Sequence, residues 1–293
     1  MRIITVLIST LILLIGTPAS GQDIKLKGYT GAMRYVGDLA PYSFLISNSD
    51  SHLSLGLSVG LELNDYFSVN LRYFSGTVSG DDFNSNDDTR RKRNLRFNSP
   101  INEIGLVGEF DLNNLFLGGF EKYRIHFIAG TWINYFSFNP RTDFRGDLVF
   151  LQPLGTEGQE LPGSESFKNY ELREVSIPFN FGIEFRLTDR MNMGIEVSSR
   201  WTMTDYLDDV SNIYPDLDLL RMERGDLAAE LSDRGPEIGL EASDQGSLRG
   251  NADSNDKYIF TGIYLAYYFG DNPIRIEKTE PILEEPGLVP TIK

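Results

Sequence analysis

The sequence predicts an all-β fold, a closed antiparallel transmembrane β-barrel of about eight strands with long extracellular loops. Three observations carry this expectation. Segments of about ten residues alternate apolar and polar side chains. Connections between them are long and short by turns. No later stretch of uncharged sequence approaches the ~20 residues that a spanning helix needs.

The chain starts with Arg2 and an apolar run over residues 3–16, followed by Thr17-Pro18-Ala19-Ser20-Gly21. Small residues at Ala19 and Gly21 fit a signal peptide cleaved before Gln22. An N-terminal anchor is the alternative, though the apolar run is short for one. The expected division is a signal peptide at 1–21, a barrel at 22–270 and a flexible periplasmic tail at 271–293. With no cysteine in the chain, neither a lipid-anchoring thiol nor a disulfide is available.

Strand by strand, the cleanest alternation is at 52–63. Leu53, Leu55, Leu57, Val59, Leu61 and Leu63 take one face, and Ser54, Gly56, Ser58, Gly60 and Glu62 the other. Phe67, Val69, Leu71 and Tyr73 repeat it, as do Val175, Ile177, Phe179, Phe181, Ile183, Phe185 and Leu187. Met191, Met193, Ile195 and Val197 follow the same rhythm. Weaker segments at 24–36, 97–110, 123–139 and 257–269 complete an even set, the last rich in the aromatics expected of membrane-interface girdles. Turns near Asn64-Asp65 and Thr188-Asp189-Arg190 are short, and the connections after the first, third, fifth and seventh strands are long. That is the outer-membrane pattern of periplasmic turns and extracellular loops, with both mature termini in the periplasm. Pro178 lies inside the sixth strand, where it cannot donate to a ladder, so a bulge is expected there.

A barrel of this size is filled by its own side chains. The inward set, Glu62, Arg72, Glu103, Glu109, Arg124, Glu184, Arg186, Glu196 and Arg200, mixes acids and bases, which predicts a neutralising network and argues against a porin. The formal charge of −15 leaves no basic surface for nucleic acid. No enzyme, metal or cofactor is expected. His52 and His126 are the sole histidines, a Gly-x-Ser-x-Gly elbow is missing, and His126 has only Arg124 and Ile128 as same-face neighbours. The acidic run 81–88 departs from a calcium loop, with Asp87 at the position that needs glycine and Arg93 at the one that needs glutamate. It is expected to be a flexible solvated loop. The basic stretch Arg90-Arg91-Lys92-Arg93 follows, and either lipid phosphates or the acidic run could neutralise it.

The turn at 111–122 is longer than a hairpin needs. Its Leu112, Leu115, Phe116, Leu117 and Phe120 either pack against the barrel floor or offer a periplasmic partner a contact. The tail, with Pro273, Pro281, Pro286 and Pro290, is expected to be extended; it either stays disordered or orders on a partner.

Three loop segments share the extracellular end: Tyr35-Val36-Gly37-Asp38-Leu39, Gly155-Thr156-Glu157-Gly158-Gln159, and Thr204-Asp205-Tyr206-Leu207-Asp208-Asp209-Val210-Ser211. Asp208 and Asp209 are suited to brace a loop by side-chain to backbone bonds. Together with Ile177-Pro178-Phe179, these segments make the chain, from about Gly28 to Phe269, resemble the PorG family of outer-membrane barrels associated with the type IX secretion system of Bacteroidota. Asn180-Phe181 departs from the glycine more usual there, and 216–256 is variable. The resemblance implies an accessory, anchoring component of that machine, set in outer-membrane lipid and touching a periplasmic ring of PorK with PorN. A surface adhesin or ligand-binding barrel acting through acidic loops is the alternative.

Overall fold

The computed structural model describes residues 24–40, 50–117, 124–164 and 167–269, and of Leu117 only the backbone. The expected signal peptide, the whole of the tail and Phe120 lie outside these residues. Ten strands are present among the described residues: β1 Ile24–Val36, β2 His52–Asn64, β3 Phe67–Asp81, β4 Arg96–Asp111, β5 Ile125–Ser137, β6 Arg141–Phe144, β7 Asp147–Phe150, β8 Arg173–Arg186, β9 Met191–Thr202 and β10 Lys257–Phe269. Eight of them close into a barrel. The ring runs β1-β2-β3-β4-β5-β8-β9-β10, and β10 returns to β1. Every pairing is antiparallel, and closure is complete along β1, from Ile24 opposite Phe269 to Val36 opposite Lys257. A closed ladder pairs the backbone without exposing an edge, the condition for strands to stand in lipid.

The pleat sorts the side chains as the alternation predicts. Leu53, Leu57, Phe181, Ile195 and Ile263 point outward and are exposed, and so form the lipid face. Ser54, Ser58, Asn70, Arg72, Glu184 and Ser198 point inward and are buried. Inward glycines make room for large rings. Phe74 lies over Gly56, and Tyr264 lies so close over Gly194 that a Cβ there would fall 2.2 Å from its Cζ.

Through the lumen the charges form layers. Near the short turns, Lys25 bridges Glu62 at 2.7 Å and Glu109 at 3.3 Å. Lys27 meets Glu109 at 2.8 Å, and Arg72 spans Glu109 and Glu196. Tyr264 and Tyr268 donate to Glu184 at 2.9 and 3.1 Å. Nearer the long loops, Arg200 holds Glu103 at 2.7 Å while its guanidinium lies 5.0 Å from the Phe74 ring centre. The predicted neutralising network therefore exists, with four residues corrected. Lys25 and Lys27, absent from the expected set, are central to it. Arg124 stands exposed before β5, and Arg186 is only half-buried at the rim.

The expected bulge at Pro178 does not form. Pro178 pairs in register with Arg200 of β9. On the other side, β5 and β8 keep one register from Thr131–Phe179 to Asn134–Ser176 while the pairs between are skipped. A short gap in one ladder, without an extra residue, absorbs the missing N–H. The bulge that does occur lies at Glu62–Asn64, beside the short turn into β3.

At one end the β2–β3 and β8–β9 connections are short and β4–β5 is longer, as expected of the 111–122 turn; at the other end the connections are long. The long ones after β3, β5 and β9 are folded over their described residues. The loop between β5 and β8 contains the β6–β7 hairpin, whose two turn residues, Arg145 and Gly146, both have positive φ (53° and 92°), as a type I′ turn requires. The acidic run is folded into short helical turns, although Asp87 and Asp88 remain exposed to solvent. Asp82 is buried and chelates the Arg93 guanidinium at 2.7 and 2.8 Å, and Asp87 caps a short helix, Asp88–Arg93. The acids thus pair with half of the basic stretch, Asp82 with Arg93 and Asp88 with Arg91, in the direction of one of the two outcomes left open. The 216–256 region contains helices Leu217–Arg224 and Asp226–Ser232; Asp216 caps the first through the Asp218 and Leu219 N–H groups.

Candidate functional site

The three loop segments singled out in the sequence meet over the long-loop mouth and form a buried polar cap. Tyr35, at the end of β1, brings its hydroxyl to 2.6 Å from Asp208 Oδ2 and 2.5 Å from Asp256 Oδ1. Gly37 must be glycine for this: a Cβ there would lie 2.0 Å from both Tyr35 Oη and Asp256 Oδ1. Asp38 accepts from the Asn251 N–H at 2.7 Å, and Leu39 is buried.

The second segment works by backbone shape and one carboxylate. Gly155 and Gly158 have φ of +60° and +81°, the region that only glycine enters freely. The turn they make carries Glu157 into the cap. Glu157 Oε1 accepts from the Ser211 and Asn212 N–H groups at 2.8 and 3.0 Å and from Arg249 at 3.1 Å. Gln159 Oε1 accepts from the Glu157 N–H, and Thr156 donates to Asp209 Oδ2.

In the third segment, Asp208 Oδ1 accepts from the Val210 N–H at 2.9 Å, the predicted side-chain to backbone brace. Asp209 braces differently. It takes hydroxyls from Thr156 and, at 2.6 Å, Tyr170, while its own backbone sits at φ 67°. Tyr206 stacks on Tyr170 with ring centres 4.5 Å apart, and the Leu207 N–H donates to Asp256 Oδ2 at 2.9 Å. Burial, with Arg249 only partly offsetting it, holds the Asp209 carboxyl up at about 6. Burial, with the charges of Asp38 and Glu157 added, pushes Asp205 up to about 7. Arg249 and Asp256 were not found by sequence reasoning. Both lie in or beside the variable stretch, and nothing local marks a residue whose partners are over forty positions away.

Beside the cap lies a cavity of about 480 Å³ lined by Arg90, Lys92, Arg93, Arg249, Leu240 and Leu248 among others. Its guanidiniums already have protein partners: Arg93 has Asp82, Arg249 has Glu157, and Arg90 has the Ala40 carbonyl.

The remaining sequence candidates lie elsewhere. Pro178 is in the barrel wall. Leu112, Leu115 and Phe116 belong to the helix Leu112–Leu117 at the short-turn end, where Phe116 is 75% exposed and Leu115 43%. His126 does have an orienting group, contrary to expectation. Asp111, from the end of β4, lies 2.7 Å from its Nδ1. The register places β4 and β5 side by side, which same-strand neighbours could not reveal. His52 contacts Ser79 at 2.7 Å, with no carboxylate in reach of the histidine among the described residues.

A family model described as "Domain of unknown function (DUF6089)" matches residues 2–146, which reach the β6–β7 turn. No curated protein matches the sequence. Among solved structures, the chain is similar to Neisserial surface protein A at 9% identity, covering 85% of this chain and 98% of that one with a TM-score of 0.39. It is likewise similar to the outer membrane protein OprG from Pseudomonas aeruginosa (12%, 86% and 97%, 0.38). A major outer membrane protein from Thermus thermophilus gives 9%, 84% and 99%, and 0.38. The barrel assignment rests on the closed strand ladder and not on these likenesses.

Replacing Gly37 with Ala is expected to push Tyr35 and Asp256 apart and loosen the cap by about 1–3 kcal/mol, the range for overpacking a tight site. Limited proteolysis should cut the long loops sooner in G37A, while far-UV circular dichroism still reports a formed barrel. Unchanged cutting would show that the glycine is not needed for the cap.

Proposed function

We propose that this protein is a non-enzymatic fixture of the bacterial outer membrane, an accessory, anchoring component of the type IX secretion apparatus. In this role its short-turn end faces the periplasm and touches a ring of the PorK and PorN kind. The observation that carries the fixture reading is the filled lumen. Lys25, Lys27, Arg72 and Arg200 are each buried against glutamates, which supports a rigid plug over a solute path. The resemblance in the loop segments supports the choice of machine. Phe116 and Leu115, exposed beyond the barrel floor with Leu63 and Leu187 also exposed at that end, supply a contact surface for the ring.

Site-specific crosslinking from position 116 in intact cells tests this. Capture of the ring lipoprotein is expected, and a secretion defect should accompany replacement of Leu115 and Phe116 by Ser. Normal secretion with no captured ring component would overturn the reading.

One observation favours a second reading, a surface adhesin or ligand-binding barrel. Phe83, Met222 and Leu248 are 76–80% exposed on the long loops, where apolar side chains have no packing role. Loss of surface attachment with secretion intact would select it.

A further inference from the structure

Tyr35, Asp208 and Asp256 pose a question of proton count. The tyrosine hydroxyl lies within hydrogen-bond distance of a carboxylate oxygen on each side, at 2.6 and 2.5 Å. A phenol carries one proton and donates once. The second short oxygen–oxygen contact therefore needs a proton that belongs to a carboxyl group. Neither acid has a cation in direct contact: the outer oxygens accept from backbone N–H groups, Val210 to Asp208 and Leu207 to Asp256, both at 2.9 Å, and Arg93 acts on Asp208 only through space, as the smallest of its influences. Both acids are also 1% exposed or less, so water does not substitute for the missing proton.

We propose that Asp208 and Asp256 share one proton through Tyr35, and that this proton locks the cap on the barrel, so that the long-loop end loosens when the medium turns alkaline.

The surroundings hold that proton in place. Asp38 from the β1 exit acts on Asp208, and Asp205 from the same loop acts on Asp256; behind them Glu157 from the second segment acts on Asp205 and Asp209. The cations are Arg93, which chelates Asp82, and Arg249, which is committed to Glu157 and the Asp209 carbonyl. Tyr170 is neutral and donates to Asp209. Carboxylates thus outnumber guanidiniums, and the guanidiniums are directed at other partners. Burial first, then the charge of Asp38, raises Asp208 well above the usual carboxylate range. Burial, then the charge of Asp208, does the same for Asp256.

The sign follows from linkage. Acids whose pKa is raised on folding stabilise the closed state at low pH, and that stability is lost as pH rises through the folded value. Asp209 at about 6 and Asp205 at about 7 begin the loss, and the shared proton completes it. Once it leaves, two buried anions face one hydroxyl. The β1 exit, the 204–211 loop and the entry to β10 then repel one another, while the strand ladders below are untouched.

Amide hydrogen exchange on the full chain in detergent tests this. Between about pH 6 and about pH 9, after correction for intrinsic exchange, protection across 204–211 should fall at least about tenfold, with strand amides unchanged. In Asp256→Asn, the amide supplies a hydrogen that does not titrate, so most of the fall should vanish. Infrared difference spectra of the native chain provide a readout that needs no variant. A protonated-carboxyl C=O band is expected near neutral pH and should disappear on alkalinisation. No such band, no fall in protection, or an undiminished fall in Asp256→Asn would each overturn the proposal.

Discussion

Glu109→Ala is expected to cost the barrel about 3–5 kcal/mol, the usual penalty for breaking a buried ion pair from one side. Glu109 is the shared anion of the short-turn half. It holds Lys25 at 3.3 Å, Lys27 at 2.8 Å and the Arg72 guanidinium. Without it, Arg72 keeps Glu196 and Lys25 keeps Glu62, but Lys27 retains only Glu184 at 3.9 Å. A cation that is almost fully buried would then lack a close counter-ion. The urea midpoint of the detergent-solubilised barrel should drop accordingly, with the heat-modifiable gel shift lost at a lower temperature. Glu109→Gln should lose less, because an amide oxygen still accepts from Lys27. A midpoint unchanged in both variants would show that water reaches this layer and screens it.

The second large effect is expected at Arg200, and its signature is non-additivity. Arg200→Met leaves Glu103 buried with the Tyr258 hydroxyl at 2.5 Å and a weak Asn134 contact as its remaining partners. About 3–5 kcal/mol should be lost. Replacing both charges, Arg200→Met with Glu103→Leu, removes the stranded anion as well as its partner. The double variant should recover most of the loss, less about 1–3 kcal/mol for the Tyr258 hydroxyl that loses its acceptor. A double-mutant cycle on unfolding free energies measures the coupling directly. If the double variant were as unstable as the sum of the singles, the network would be acting through shape and not through charge.

Much of the barrel is legible in the sequence because lipid and lumen impose opposite demands on adjacent residues. Leu53 and Ser54 can be assigned to opposite faces with no knowledge of their partners. The long and short connections are equally local signals. What was not legible depends on pairing across the sheet. Lys25 and Lys27 alternate with only Ile24 and Leu26 before Gly28 interrupts the pattern, and their role appears only once Glu109 stands opposite. Asp111 reaches His126 from a neighbouring strand. Pro178 suggests a bulge from its missing N–H alone, and the real sheet simply leaves two pairs unmade. In the cap, Gly37, Glu157 and Asp208 could be noticed as unusual. Their joint purpose could not, since it requires Arg249 and Asp256 to be brought back by a loop with little periodicity.

The ion pairs of the lumen also bear on the order of assembly. Arg72 and Glu196 are 124 residues apart, Arg200 and Glu103 are 97, and Lys27 and Glu109 are 82. A nascent sheet of the first four strands would carry Arg72 into the bilayer without Glu196, and Glu103 without Arg200. Such an intermediate is penalised by every unmatched charge, so insertion has little stability to gain until β9 arrives and the seam closes. The span matched by the family model ends before β8. It contains both Lys27 and Glu109 but only one partner of the Arg72–Glu196 and Glu103–Arg200 bonds, and it lacks three of the eight barrel strands.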